Sequence, residues 1–524
     1  MKKSTEKFVK IAFRVDASGT IGFGHLSRCI NLAEELRSRG CEILFVTRDD
    51  DSKSYKALEN RLFQTVLLPA LETVEKLGDE LPGKSTRSEV DDANEMIQAL
   101  EGFKPTWLVI DSYELGKTFE TKLRPHTEKI AVIDDLPTRE HDCDLFIDQN
   151  YADRTVESIG ARLNRCDQIL IGPRFALLDT KIREARKISP DKGSKIQRIF
   201  VFCGGADPNN LTQKVVDALR GKEFSSIAID VVIGAQNKLF EVDTAATDLA
   251  NFNFQPASDD YLKMLQRADL AIGAGGTSTW ERMCFGVPSI VVSIASNQEP
   301  ACKKLGDENL ISYLGDEHQV SPTMIAEAVR GLVNSRTELE SRSERARLLV
   351  DGRGSKRVAE AMCAVSDSEL RIRLANKSDC EDYFNWVNDP EVRAQSFNSE
   401  MITWAEHKIW FTEKMNSGST EMYVLEANGL PVGQVRFEVT DHEAEISYSL
   451  DSIVRGRAWA ALLIEIAMDQ FQSRNALPIR AKVKHGNRRS IAVFEKLGFS
   501  KMAEGADRQV VEYLKSPKLV AGKS

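Results

Sequence analysis

The chain opens on an apolar run, Phe8–Val15, followed by a stretch of helical periodicity, His25–Arg39, that closes at Gly40. A short apolar run feeding an amphipathic segment is the pattern of a strand followed by a helix. The pattern recurs: Glu42–Thr47, Trp107–Asp111 and Lys129–Asp134 read as strands separated by helix-length segments. It restarts at Ile199–Phe202, after the polar stretch Ser189–Ser194, and continues through Ile227–Ile233, Leu270–Ile272 and Ser289–Val292. Strands that are apolar throughout, instead of alternating, have both faces covered, which predicts parallel sheets with helices on each side. The restart near residue 195 predicts two such sheets in tandem.

A second change follows Arg353-Gly354-Ser355, a helix Lys356–Val365 and a short polar join, Ser366–Ser368. From Glu369 the expected order is a strand, two helices and three successive strands, Glu421–Ala427, Val432–Val439 and Glu443–Leu450. A helix (Ala458–Gln472), a strand (Ile479–Val483), a helix (Arg488–Lys496) and a last strand (Gln509–Leu514) complete an α+β unit. The predicted domains are 8–188, 195–365 and 369–516, in keeping with about three domains for 524 residues.

Charge and cysteine usage narrow the functional classes. Seventy basic against 79 acidic side chains give a net charge of −9, which argues against a nucleic-acid partner bound through a broad basic surface. No window approaches ~18 consecutive apolar residues, and Lys10 and Arg14 interrupt the first apolar run, so neither a membrane span nor a secretory leader is expected. The nine cysteines form no C-x-x-C and no zinc-like grouping with histidines. They read as reduced thiols of a cytoplasmic protein with no metal centre.

The stretch Ser18-Gly19-Thr20-Ile21-Gly22-Phe23-Gly24-His25-Leu26-Ser27-Arg28 lies between the first strand and the first helix, at the edge where open α/β sheets bind ligands. Glycines there let backbone approach a phosphate or sugar, and the helix start offers free N–H groups to an anion. The helix dipole opposes positive charge on a histidine at that position, so His25 is either a helix-capping ring or a neutral imidazole able to act as general base on water. The second sheet carries a matching stretch, Asp269-Leu270-Ala271-Ile272-Gly273-Ala274-Gly275-Gly276-Thr277-Ser278-Thr279-Trp280-Glu281. A strand, a small-residue loop, hydroxyls and a helix start form a diphosphate cradle. Glu281, one turn in, is either a ribose acceptor or a solvated or capping glutamate. Gly204-Gly205-Ala206-Asp207 is a further glycine turn on the same side.

With these motifs in place, the first 350 residues resemble the glycosyltransferase-B architecture of two Rossmann-like domains. Within it they resemble the UDP-sugar hydrolases of pseudaminic acid biosynthesis. The resemblance rests on Arg14-Val15-Asp16-Ala17-Ser18, Ile21-Gly22-Phe23-Gly24-His25 with Arg28, Ile110-Asp111-Ser112-Tyr113 and Ile133-Asp134-Asp135. Gly172-Pro173-Arg174-Phe175-Ala176-Leu177-Leu178, Gly204-Gly205-Ala206-Asp207, Glu281 and Asn297-Gln298 extend it. It implies that His25 activates water and that Tyr113 positions the water or the sugar. Gly276, Thr277, Ser278 and Glu281 then grip UDP, with Asn297 and Gln298 at the mouth of the site. Gly22, Gly24, Arg28, Arg174, Gly205 and Asp207 are the remaining candidate substrate contacts. The implied reaction is release of UDP from UDP-2,4-diacetamido-2,4,6-trideoxy-β-L-altropyranose.

Residues 369–515 have the element order of the Gcn5-related N-acetyltransferase (GNAT) fold. The likeness is carried by Arg455-Gly456-Arg457-Ala458-Trp459-Ala460, Asn487-Arg488-Arg489-Ser490 and Phe494-Glu495-Lys496-Leu497-Gly498-Phe499. It implies that acetyl-coenzyme A binds the loop around Arg455, Gly456, Arg457, Ala458 and Ala460, with Asn487 and Ser490 along its arm. Alanines at 458 and 460 stand where glycines are usual, and Phe494 stands where many relatives carry a tyrosine that protonates the leaving thiolate. Glu445, on an alternating strand, is either a base for the substrate amine or a cross-strand surface charge. A fusion implies acetylation of the 4-amine of the UDP-amino sugar that precedes the hydrolase substrate. A rival reading keeps a UDP-sugar-dependent glycosyltransferase joined to a non-catalytic acetyltransferase-like domain.

Overall fold

The computed structural model describes residues 9–16, 24–48, 53–69, 88–136, 138–187, 195–241, 249–257, 260–333, 335–363, 368–502 and 509–517. Gly22 and the polar stretch 189–194 lie outside them. The chain divides into two compact units, residues 1–362 and 363–524.

The first unit holds two parallel sheets. Its first nine strands are β1 (Lys10–Val15), β2 (Glu42–Arg48), β3 (Gln64–Leu68), β4 (Trp107–Asp111), β5 (Lys129–Ile133), β6 (His141–Asp142), β7 (Leu145–Asp148), β8 (Leu163–Asn164) and β9 (Gln168–Ile171). Seven of them form one sheet in the order β3-β2-β1-β4-β5-β7-β9, and β6 and β8 pair beside it. Every neighbouring pair runs parallel. The chain builds outward from β1 to β3 and then returns to the other side of β1. The connections after β1 and β4 therefore diverge and leave a crevice at their carboxyl ends. In register, Val15 faces Asp111 across that point.

The second sheet repeats the device. Strands β10 (Arg198–Phe202), β11 (Ala228–Ile233), β12 (Phe252–Pro256), β13 (Leu270–Ala274), β14 (Ser289–Ser293) and β15 (Ser312–Asp316) are ordered β12-β11-β10-β13-β14-β15, all parallel. The reversal falls between β10 and β13, which places Gly204-Gly205 and Gly275-Gly276 at the second crevice. Strands β4, β13 and β14 are buried at every residue, as continuous apolar runs covered on both faces require. The helix Gly354–Met362, expected to close the second domain, packs back on the first. Arg39 pairs with Glu360 at 2.9 Å, and the Trp107 indole donates to the Met362 carbonyl at 3.0 Å. A Cβ at Gly354 would lie 2.1 Å from the Ala176 carbonyl oxygen, so this approach is open to glycine alone.

The second unit is a mixed sheet of β16 (Leu370–Leu374), β17 (Thr420–Ala427), β18 (Leu430–Val439), β19 (Ala444–Leu450), β20 (Ile479–Lys484), β21 (Ser500–Lys501) and β22 (Val510–Lys515), ordered β16-β17-β18-β19-β20-β22-β21. Asn428 and Gly429 both take positive φ (50° and 72°), the geometry of the tight hairpin between β17 and β18. Three helices, Cys380–Val387, Pro390–Gln395 and Trp404–Asn416, stand where two were expected. Pro390 has no N–H to continue a helix, and the Asp389 carboxylate accepts from the amides of Glu391 and Val392 to start a new one. All pairings are antiparallel except β19 with β20. That parallel pairing covers only Ala444, Glu445 and Ile446 against Ile479, Arg480 and Ala481. Beyond it β19 runs on to Leu450 and β20 to Lys484, so the sheet opens as a wedge.

Candidate active sites

In the first unit, the helix Gly24–Ser38 springs from the carboxyl side of β1 and carries His25 and Arg28 on one buried face, three residues apart. Asp111, the last residue of β4, lies between them. His25 Nδ1 is 2.5 Å from Asp111 Oδ1. Arg28 donates from Nε to Oδ2 at 2.6 Å and from Nη2 to Oδ1 at 2.5 Å, a two-pronged grip. Burial works against charge on Asp111, but the Arg28 guanidinium and His25 outweigh it and hold the carboxyl well below its usual range. The same carboxylate holds the Arg28 guanidinium charged against its own burial. With Nδ1–H given to Asp111, the imidazole is fixed in the tautomer that presents Nε2 as a proton acceptor. No side chain among the described residues is bonded to Nε2.

Tyr113 stands edge-on to the His25 ring, with centroids 4.6 Å apart and planes at 89°. Its hydroxyl donates to Asp135 Oδ1 at 2.6 Å and accepts from Asn297 Nδ2 at 2.9 Å. Asn150 Nδ2 donates to the other Asp135 oxygen at 2.6 Å. Burial first, then the Asp135 carboxylate, pushes the phenol far above its ordinary range, so Tyr113 stays protonated. Asn297 belongs to the second sheet's side, just after β14, and its bond to Tyr113 links the two halves of the unit.

The small-residue turn of the second sheet lies on the same crevice. A Cβ at Gly24 would stand 3.8 Å from Thr277 Oγ1, which brings the start of helix Gly24–Ser38 opposite the start of helix Thr277–Phe285. Gly276, at φ +105°, turns the chain into that second helix. The Gln298 side chain lies against Gly275 and Gly276, its oxygen accepting from the Ile294 amide at 3.1 Å. Arg282 lies beneath, fully buried, donating from Nη2 to the Ala274 carbonyl and Thr279 Oγ1 and from Nη1 to Ser278 Oγ. It was not singled out in the sequence, where it is one arginine in an amphipathic helix. Asp111, Asp135 and Asn150 were likewise outside the candidate set, although the first ends β4 and the second follows β5 by two residues, both in quoted motifs.

The remaining substrate candidates have other neighbours. Glu281 accepts from the Tyr261 hydroxyl at 2.6 Å, and burial raises its carboxyl. Asp207 caps the helix Leu211–Leu219, its two oxygens accepting from the Leu211 and Thr212 amides, with Asn237 Nδ2 at 3.0 Å. Gly205 borders open space, and its carbonyl accepts from the Gln236 amide. Arg174, on the turn Pro173–Phe175, lays its guanidinium over the Phe175 ring.

In the second unit, the loop after β19 turns sharply through two left-handed residues, Gly456 (φ +83°) and Ala458 (φ +60°), into the helix Trp459–Gln472. Both are exposed, and a side chain at Gly456 would meet nothing within 4 Å. Free backbone N–H groups at the start of this helix, Ala460 in its first turn, face out beside the wedge between β19 and β20. Arg455 pairs with Asp389 at 2.7 Å, and Arg457 lies over the Trp459 ring. Across the wedge, Asn487 caps helix Arg488–Lys496 by accepting from the Ser490 amide at 3.1 Å. The Ser490 hydroxyl meets the Tyr448 hydroxyl at 2.9 Å. Phe494 is buried among Tyr448, Phe499 and Tyr513. Glu445 is exposed, 2.7 Å from Lys482 Nζ on β20, which describes a cross-strand ion pair.

Among the described residues no cluster of three or more His, Cys, Asp or Glu side chains is disposed to hold a metal ion. None of the described helices is long and apolar enough to cross a membrane.

Two doubly wound sheets with facing crevices define a glycosyltransferase-B-like body, and the wedged mixed sheet defines a GNAT fold. Residues 198–361 match the glycosyltransferase family 28 C-terminal domain, and residues 369–500 match the acetyltransferase (GNAT) domain. Over 96% of its length the chain is 23% identical to the uncharacterized protein MJ1062 of Methanocaldococcus jannaschii, covering 99% of that protein. It is 25% identical over 362 residues to the spore coat polysaccharide biosynthesis protein SpsG of Bacillus subtilis, covering 67% of this chain and 96% of SpsG. It is also 25% identical over 221 residues to the UDP-2,4-diacetamido-2,4,6-trideoxy-beta-L-altropyranose hydrolase of Campylobacter jejuni, covering 42% of this chain and 69% of that enzyme. The chain is thus similar to a fusion: a glycosyltransferase-like part related to a sugar-nucleotide hydrolase, continued by a GNAT acetyltransferase domain.

Proposed function

We propose that the first unit hydrolyses a UDP-linked diacetamido-trideoxy sugar to UDP and the free sugar, and that the second acetylates the amine of that substrate's precursor. The observation that carries the hydrolase reading is the His25–Asp111–Arg28 cluster at the switch point. His25 Nε2 takes a proton from water directed at the anomeric carbon, and Asp111 stabilises the imidazolium that forms, as a carboxylate behind a histidine does. Tyr113, locked between Asp135 and Asn297, presents its ring to His25 and fixes one wall of the site. UDP is a good leaving group. What it asks of the protein is neutralised diphosphate charge, and the opposed helix starts at Gly24 and Thr277 supply N–H groups for that.

The glycosyltransferase family 28 match favours a second reading, in which the sugar passes to an acceptor hydroxyl instead of water. The two separate in one experiment. Incubated with the UDP-diacetamido sugar and no acceptor, a hydrolase releases UDP and free sugar in equal amounts; UDP release that waits for an added acceptor overturns the hydrolytic reading. For the second unit, bound acetyl-coenzyme A supplies an activated acetyl thioester. The loop Arg455–Ala460 presents backbone N–H groups to its diphosphate, and the strand β19, released from β20 beyond Ile446, offers its edge to the arm. Mass spectrometry of the UDP-amino sugar after incubation with acetyl-coenzyme A tests this half: a gain of one acetyl group supports it, and unchanged mass contradicts it.

A further inference from the structure

We propose that Tyr448 is the proton donor to the leaving sulfur in acetyl transfer, held in place by Ser490. The inference rests on the acetyltransferase reading of the second unit. Tyr448 lies two residues past the last β19–β20 pair, where the strands have separated, and its side chain reaches across to the helix Arg488–Lys496. There its hydroxyl meets Ser490 Oγ at 2.9 Å, and its ring stands edge-on to Phe494 at 5.8 Å and 81°. Phe494 has no proton to give. On β20, Lys482 pairs with Glu445 and Lys484 donates to the Ala394 carbonyl, so both ammonium groups of that strand are engaged elsewhere.

Burial keeps that phenol protonated well past neutrality, with the Ser490 hydroxyl working slightly the other way. Tyr448 therefore arrives at the reaction with its proton in place. As the acceptor amine forms its bond to the acetyl carbon, the carbon–sulfur bond breaks and the electron pair passes to sulfur, which takes the Tyr448 proton. The nitrogen's surplus proton leaves to solvent, and solvent returns a proton to Tyr448 by way of Ser490. Free thiol and amide are the products, so atoms and charge balance.

The test uses the full chain and the variants Tyr448→Phe, Ser490→Ala and Tyr448→Phe/Phe494→Tyr. Coenzyme A affinity, measured by calorimetry, should be unchanged within about 2-fold in Tyr448→Phe, while single-turnover acetyl transfer falls on the order of 100-fold. Ionisation of the bound coenzyme A thiol, followed by thiolate ultraviolet absorbance against pH, should move upward by about 1 pH unit, because a donor to the thiolate has been lost. Phe494→Tyr in the Tyr448→Phe background should restore much of the rate by returning a phenol from the neighbouring position, and Ser490→Ala should lose several-fold. An unchanged thiol titration and an unrescued double variant overturn the role of Tyr448. Wild-type chain that binds no coenzyme A overturns the acetyltransferase reading itself.

Discussion

The two candidate sites are built from opposite materials. The cluster around His25 is charged, buried and locked: Asp111 is 1% exposed and Arg28 4%, and each relies on the other to remain ionised. The wedge of the second unit is held by a neutral hydroxyl pair, a buried aromatic cluster and exposed backbone, while its charges, Arg455 and Glu445, are spent on ion pairs. Orienting water against a sugar calls for an imidazole of fixed tautomer, and the paired, buried Asp111 carboxylate fixes that of His25. Acyl transfer from an already activated thioester needs an open strand edge and a proton held at the right place. The contrast predicts that single substitutions hurt the first site through both folding and chemistry, and the second through chemistry alone.

The largest effect should come from Asp111→Asn. It leaves the Arg28 guanidinium buried without its counter-ion, at a cost of about 3–5 kcal/mol. It also loses control of the His25 tautomer, lowering hydrolysis on the order of 1,000-fold or more. Urea unfolding and UDP release measure the two losses; a variant of wild-type stability would break the contrast at its first term.

Next comes a dependence on pH. His141, buried, bonds Glu120 at 2.6 Å and Asp134 at 2.8 Å, beside Asp135. Burial lowers its affinity for a proton, but the two carboxylates overcome it and raise the imidazole to about 9. Because the folded value lies above the unfolded one, this stabilisation is complete below about pH 6.5 and is lost as pH rises through about 9, a few kcal/mol in all. Hydrogen exchange of the β5 and β7 amides should therefore quicken between about pH 7 and pH 9 beyond its intrinsic rise. A His141→Gln chain that shows the same extra rise would contradict this.

The smallest effect belongs to the second unit. Ala458 sits at φ +60°, a conformation that costs an L residue roughly 1–2 kcal/mol and glycine almost nothing. Part of that gain is returned through the freer unfolded chain. Ala458→Gly should thus raise stability by less than about 1 kcal/mol and leave hydrolysis untouched. A large change in either would mean that the conformation of Ala458 is not a matter of this turn alone.

Much of the architecture was legible in the sequence, because buried parallel strands write themselves as apolar runs. β4, β5, β10 and the three-strand meander β17–β19 fall within a few residues of expectation. The strands that escaped are short or polar: β12 and β15, for example, have no buried residue. At the site, His25, Arg28, Tyr113 and Asn297 were legible as types in motifs, but their assembly was not. The His25–Asp111 bond joins residues 86 apart in sequence, and only the pairing of β1 with β4 brings them together. Asp207 and Glu445 carry residue types that serve binding, catalysis and structure alike, and only the fold shows the first bonded to helix amides and the second to Lys482. The Tyr448–Ser490 bond, between a strand and a helix 42 residues on, had no sequence signal at all.

The role of His25 is tested most directly by UDP release from the UDP-diacetamido sugar, without acceptor, by wild type and by His25→Ala, with UDP affinity measured alongside. Turnover should fall at least about 1,000-fold in His25→Ala, with affinity for UDP within a few-fold of wild type. Undiminished turnover in His25→Ala would contradict that role.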